Sequence, residues 1–177
     1  MDGCRDPTYA RRRHMWATYV VGGSGLRWSR NFVLHLTEEE REVTPSCTLK
    51  IMILGIGVDL CEVDRIEAAI ARHGERFLTR IYTEAERAYC ESKLNRMERF
   101  AGRFAAKEAA MKAIGTGWRR GVAWRDFDVS RAPSGQPVIV FGGAARRIAD
   151  EMGVRRALVS ITHTESMAMA QVLLESE

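Results

Sequence analysis

The chain has 177 residues, of which 46% are hydrophobic and 28% charged, the balance of an ordinary folded protein with room for one domain and an appendage. That composition excludes disorder throughout and a fibrous repeat, and no run approaches the roughly 18 consecutive apolar residues of a membrane-spanning helix. The net charge of +4 comes almost wholly from arginine, since lysine occurs only at Lys50, Lys93, Lys107 and Lys112; a surplus this small fits any acidic partner and does not single out nucleic acid.

The character of the chain changes near residue 50. Residues 1–51 carry the triplet Arg11–Arg13, the glycines Gly22, Gly23 and Gly25 and the acidic run Glu38–Glu40, with no sustained helical or alternating period. The apolar stretch after the arginines is short, is broken by Thr18 and lacks a convincing small-residue cleavage site, which argues against a signal peptide. Met52 opens a self-contained sequence, so translation from Met52 and a weakly ordered N-terminal extension over 1–51 are the two alternatives. The 126 residues of 52–177 hold 19 Lys+Arg and 17 Asp+Glu. They form a nearly neutral unit long enough for one core. Cys4, Cys47, Cys61 and Cys90 make no CxxC pair and no zinc-finger spacing with the histidines, which predicts a reducing, cytoplasmic setting and buried, inert thiols at Cys61 and Cys90.

Within this unit Ile51–Leu60 reads as a buried strand in which Gly55 and Gly57 permit close backbone approach and Asp59 emerges at the end. Helical spacing covers Val63–Arg72, with Gly74 as its stop, and a short turn follows over Phe77–Tyr82. Thr83-Glu-Ala-Glu86 is a capping box that opens a helix to about Lys93. The longest helix spans roughly Arg96–Ile114, where Phe100, Ala101, Phe104, Ala105, Ala109 and Met111 form a wide apolar stripe that ends at Gly115. The period then changes. Phe127–Arg131 and Val138–Phe141 flank the turn Ala132-Pro-Ser-Gly-Gln-Pro137 as a hairpin, Ala144–Met152 is a helix stopped by Gly153, and Arg156–Thr162 with Met167–Leu174 form a second hairpin. The order β-ααα-ββ-α-ββ predicts an α+β fold with a mainly antiparallel sheet.

Three stretches carry chemistry: Asp59 after Gly-Ile-Gly-Val, the helix segment Phe104–Gly117, and Ser160-Ile-Thr-His163 at a strand end. Glu108 lies one turn after Phe104 and one turn before Lys112, which sets a carboxylate and an ammonium beside an apolar stripe; an ordinary Glu–Lys pair on a solvated face is the alternative. If Asp59 and Glu108 converge, two carboxylates with room for waters and phosphate oxygens suit Mg²⁺, and Lys107 and Lys112 neutralise a phosphate. Gly115-Thr116-Gly117 either offers backbone amides to an anion or is a helix C-cap and turn. His163 has no carboxylate or cysteine at catalytic spacing, so it is a phosphate contact or a hydrogen-bonded structural histidine.

Taken together and in order, Met52–Ile66, Arg103–Gly117 and Ser160–His163, with the Gly135–Pro137 turn, resemble the signature blocks of the holo-[acyl carrier protein] synthase family of 4′-phosphopantetheinyl transferases. The resemblance implies transfer of 4′-phosphopantetheine from coenzyme A to a serine of apo-acyl carrier protein, with Mg²⁺ as cofactor, in fatty acid biosynthesis. It also implies a homotrimer with active sites between subunits. On this resemblance Asp59 and Glu108 are the metal ligands and catalytic pair, with Glu108 helping to deprotonate the serine. Lys107, Lys112, Gly115, Thr116, Gly117 and His163 contact coenzyme A, and Pro137 approaches the nucleotide from the adjacent subunit. Arg65 stands at the family's carrier-binding position; Arg72 and Arg76 are added from helical geometry, with a solvated face as their alternative. The partners implied are acyl carrier protein, coenzyme A and further copies of the chain, with no nucleic acid and no membrane. A non-enzymatic anion- or RNA-binding module is the competing reading, and it lacks the aromatic–basic interleaving expected on one sheet.

Overall fold

The structure is a computed structural model that describes residues 52–176, so the expectations for residues 1–51 and for Cys4 and Cys47 lie outside the described residues. The element order is β1 (Ile53–Glu62), α1 (Val63–Ile81), α2 (Glu84–Glu91), α3 (Arg96–Ala113), a 3₁₀ turn (Trp124–Asp126), β2 (Phe127–Arg131), β3 (Pro137–Phe141), α4 (Gly143–Glu151), β4 (Arg156–His163) and β5 (Met167–Glu175). The strands form two antiparallel sheets, a three-stranded one in the order β1-β5-β4 and the β2-β3 hairpin. This is the α+β class expected, with every element in its expected place.

The local signals act as their chemistry requires. Thr83 Oγ1 accepts from the Glu86 amide at 3.2 Å while the Glu86 carboxylate accepts from the Thr83 amide at 2.7 Å, closing the capping box of α2. Gly74 takes φ +51° and ψ −132° inside α1, so the helix is broken there into two segments. Cys61 and Cys90 are buried among apolar neighbours, and burial pushes both thiols up to about 11. Both are therefore protonated and unreactive at neutral pH.

The core is the contact of α3 with the larger sheet. Ala101, Ala105, Ala106, Ala109 and Ala110 are fully buried, a stripe of small side chains that lets the helix backbone come close to the strands. Gly55 and Gly57 complete that approach: a Cβ on Gly55 would collide with the Ala113 carbonyl, and one on Gly57 with the Ala109 carbonyl. Strand and helix thus run in opposite directions, and Asp59, two residues beyond Gly57, is carried to the turn of α3 that holds Glu108 and Lys112. Gly57→Ala must push β1 off α3; we expect a loss of about 2–3 kcal/mol by overpacking, measurable as a lowered midpoint in denaturant titration.

One expectation is corrected. Among the described residues β1 is not buried on both faces: it is an edge strand of its sheet and only its α3 face is covered by them. Ile53, Ile56, Val58 and Leu60 are 65%, 57%, 42% and 58% exposed, and Met52 and Met169 are exposed with them. Among the described residues no helix is long and apolar enough to cross a membrane.

Candidate active site

Near the C-terminal end of α3, Asp59, Glu108 and Lys112 come together. The Asp59 carboxylate accepts from Lys112 Nζ at 2.7 Å, and the same ammonium donates to the Val58 carbonyl at 3.0 Å. The lysine therefore bridges helix to strand rather than lying along the helix as a plain pair with Glu108. Glu108 is partly buried, and burial, followed by the charge of Asp59, raises its carboxyl above the usual carboxylate range. Lys112, a hydrogen bond from the Trp118 side chain and the charge of Arg65 pull the other way. The Trp118 ring stands edge-on to Trp124 at 4.5 Å, and Trp124 packs on Phe104 at 4.6 Å, which fixes the loop after α3 against the helix.

Two hard oxygen donors whose mutual repulsion disfavours charge on one of them form a site that a divalent cation relieves. Among the described residues no group of three or more histidine, cysteine or acidic side chains gathers at one point. A pair of carboxylates fits Mg²⁺, which keeps waters and phosphate oxygens in its shell, better than it fits Zn²⁺ or Ca²⁺, which take more protein ligands.

Several expectations are corrected. Lys107 does not face this site. It is fully buried, paired with Glu86 at 2.8 Å, and donates to the carbonyls of Trp124 and Phe127; with its donors spent inside the fold, it has none left for a phosphate. The amides of Gly115, Thr116 and Gly117 are turned back onto the Lys112 and Met111 carbonyls, which is the helix-cap alternative rather than an anion nest. Gly115 and Gly117 take φ +70° and +53° with open space where a side chain would lie, so what they offer a ligand is room. Arg65, Arg72 and Arg76 are all exposed, but Arg72 and Arg76 stand on opposite sides of the Gly74 break and do not share the continuous helical face assumed for them.

A second cluster lies toward the other end of α3. His163 does have a carboxylate partner: its Nδ1 is 2.8 Å from Glu98 Oε2, a contact no spacing reveals because β4 and α3 meet only in the fold. Glu98 also accepts from Asn95 Nδ2 at 2.8 Å. His163 and Pro137 line one cleft of ≈ 80 Å³ with Arg99, Arg103 and Arg131. Ten residues of α3 separate Glu98 from Glu108, roughly 15 Å at the helical rise of 1.5 Å. Within one chain, then, Pro137 and His163 are together and the Asp59–Glu108 pair is elsewhere.

Sequence reasoning assigned no role to Arg103. It is 6% exposed, and its Nε is buried without a hydrogen-bond partner among the described residues. An arginine in the apolar stripe of α3, between Gly102 and Phe104, was the available signal. Glu86 was read as a cap and is also the buried counter-ion of Lys107 and the acceptor for the Val129 amide at 2.9 Å.

The described residues thus present a carboxylate pair at a strand–helix crossing, a basic cleft apart from it and an exposed apolar strand face. Residues 55–170 match the 4′-phosphopantetheinyl transferase superfamily, and the chain belongs to it. Within the superfamily its relatives are holo-[acyl-carrier-protein] synthases: that of Koribacter versatilis is 60% identical over 124 residues, 70% of this chain and 99% of the relative. The solved synthase of Neisseria meningitidis superposes with a TM-score of 0.64 at 33% identity, covering 70% of this chain and 98% of that one. The synthase of Bacillus anthracis in complex with CoA (3′,5′-ADP) superposes with a TM-score of 0.59 at 37% identity, covering 71% and 99%.

Proposed function

We propose that this chain transfers the 4′-phosphopantetheine group of coenzyme A to a serine of apo-acyl carrier protein, in the cytoplasm and in the service of fatty acid biosynthesis. The observation that carries the reading is the meeting of Asp59 and Glu108 in a chain of which 70% aligns with 99% of a holo-[acyl-carrier-protein] synthase. The serine oxygen forms a bond to the phosphorus that bears pantetheine, the diphosphate P–O bond breaks, and adenosine 3′,5′-bisphosphate leaves. Burial and the charge of Asp59 raise the Glu108 carboxyl above the usual range, which makes its carboxylate a stronger base, suited to take the serine proton. Asp59 and Glu108 are the residues that would hold Mg²⁺, which when bound offsets the negative charge that develops on the phosphoryl oxygens. Lys112, 51% exposed at its side chain, is free to swing from Asp59 to a phosphate. Arg65, whose charge reaches Glu108, stands where an acidic carrier would dock, and Arg72 and Arg76 extend that basic surface along the two segments of α1.

The site is completed by neighbouring copies in a homotrimer. The apolar face of β1 supports this, since a contiguous exposed patch of this kind marks an interface. So does the separation of the arginine cleft from the carboxylates. Arg103, a buried cation without an acidic partner among the described residues, leaves the cleft in need of an anion, and a phosphate of a coenzyme A held at a neighbour's site supplies one. Ile56→Asp is expected to give a monomer by light scattering and to remove turnover while α3 and its carboxylates stay folded. A fully active monomer would end the shared-site reading.

The function is tested by intact mass of apo-acyl carrier protein after incubation with the protein, coenzyme A and Mg²⁺. One added phosphopantetheine, absent after chelation, is the expected result, and a chain beginning at Met52 is expected to give the same rate. No mass gain from a folded trimer would refute the transfer.

A further inference from the structure

Three cations gather around a single aromatic ring behind the arginine cleft. The Arg103 guanidinium lies 4.2 Å from the Tyr89 ring centroid, Lys93 Nζ 5.1 Å and the Arg131 guanidinium 5.5 Å. None of the three forms an ion pair among the described residues, and Arg103, although buried, has no hydrogen bond to its Nε. Arg103 and Arg131 line the cleft; Tyr89 and Lys93 do not. The carboxylate in the cleft, Glu98, is already engaged by His163 and Asn95, and the Arg99 Nε is taken up by the Asn95 side-chain oxygen at 3.2 Å.

Like charges repel, and a fold that collects them ordinarily inserts a carboxylate to hold them. A carboxylate here would consume the guanidinium donors and cancel the charge that draws an anion. The negative face of an aromatic ring attracts cations without accepting their N–H groups. We propose that Tyr89 is a positioning residue for substrate binding: its ring gathers Arg103 and Arg131 at the back of the cleft in place of an acidic residue, so that both keep charge and donors free for a phosphate group of coenzyme A. This rests on the cleft reading given above. Tyr89 touches no substrate; it acts through the two arginines, on affinity and not on the chemical step.

The test is kinetic, on the full chain. Tyr89→Phe keeps the ring and is expected to leave the KM for coenzyme A near its starting value. Progressively fluorinated phenylalanines at position 89 keep the shape and withdraw electrons from the ring face. They are expected to raise KM stepwise, by about tenfold across the series, with kcat unchanged, and the Kd of adenosine 3′,5′-bisphosphate by calorimetry is expected to follow. Tyr89→Leu removes the ring and should match the most fluorinated member. Arg103→Gln, measured alongside, tests the cleft itself. If it raises KM while the fluorinated series is flat, the ring does not hold the arginines and the proposal falls alone. If Arg103→Gln also leaves KM and Kd unchanged, the cleft takes no phosphate and both readings fall. A series that lowers kcat at constant KM overturns the positioning role as well.

Discussion

Glu108→Gln is expected to abolish transfer, with kcat/KM lower by at least about a hundredfold, and to leave stability unchanged or slightly raised. The two halves of that result come from one feature. Glu108 is disfavoured as a charged group in this fold, first by burial and then by the Asp59 carboxylate, so an uncharged isostere removes a repulsion as well as a function. Residues tuned for chemistry commonly carry such a stability cost. Intact-mass assay of the carrier gives the rate, and a thermal melt read beside it gives stability. A variant that transfers normally removes Glu108 from the mechanism; one that melts well below the parent shows that the carboxylate is a structural tie.

Lys107→Met is expected to cost about 3–5 kcal/mol, because it leaves the Glu86 carboxylate buried without its counter-ion. For a domain of this size the melting temperature should fall by about 10–20 °C. Burial pulls the Lys107 ammonium below the usual lysine range while Glu86 pulls it back up, as expected of an ion pair kept charged by its partner. The double variant Glu86→Gln with Lys107→Met is expected to recover much of the loss, since the two charges depart together. Differential scanning calorimetry on the single and double variants measures this directly. The KM for coenzyme A at low temperature distinguishes the alternative: a phosphate-binding lysine would raise KM and spare the melting temperature.

These two residues also show how far the sequence could be read. Both belong to the same run of α3, and both are charged residues beside an apolar stripe. Residue spacing could show that Glu108 and Lys112 lie one turn apart, but it could not decide which of Lys107 and Lys112 turns inward. That depends on Glu86 arriving from α2 and on the carbonyls of Trp124 and Phe127 arriving from the 3₁₀ turn and the first residue of β2. His163 is a similar case. Its carboxylate partner Glu98 is 65 positions away in the chain and adjacent only once β4 has packed beside α3.

By itself the sequence determined the elements, their order and the chemistry they carry, because those are set by short-range physics: capping at Thr83, a left-handed glycine at Gly74, a small-residue stripe on α3, glycines opposite it on β1, and a carboxylate two residues further on. Tertiary structure alone decided which charges are spent and which are free. Among the described residues, Lys107 is satisfied inside the core, Lys112 is poised on Asp59, Arg103 is left without an anion, and the outer face of β1 is left uncovered. Each of those outcomes depends on partners distant in the chain, and a buried charge takes its role from the partner it meets.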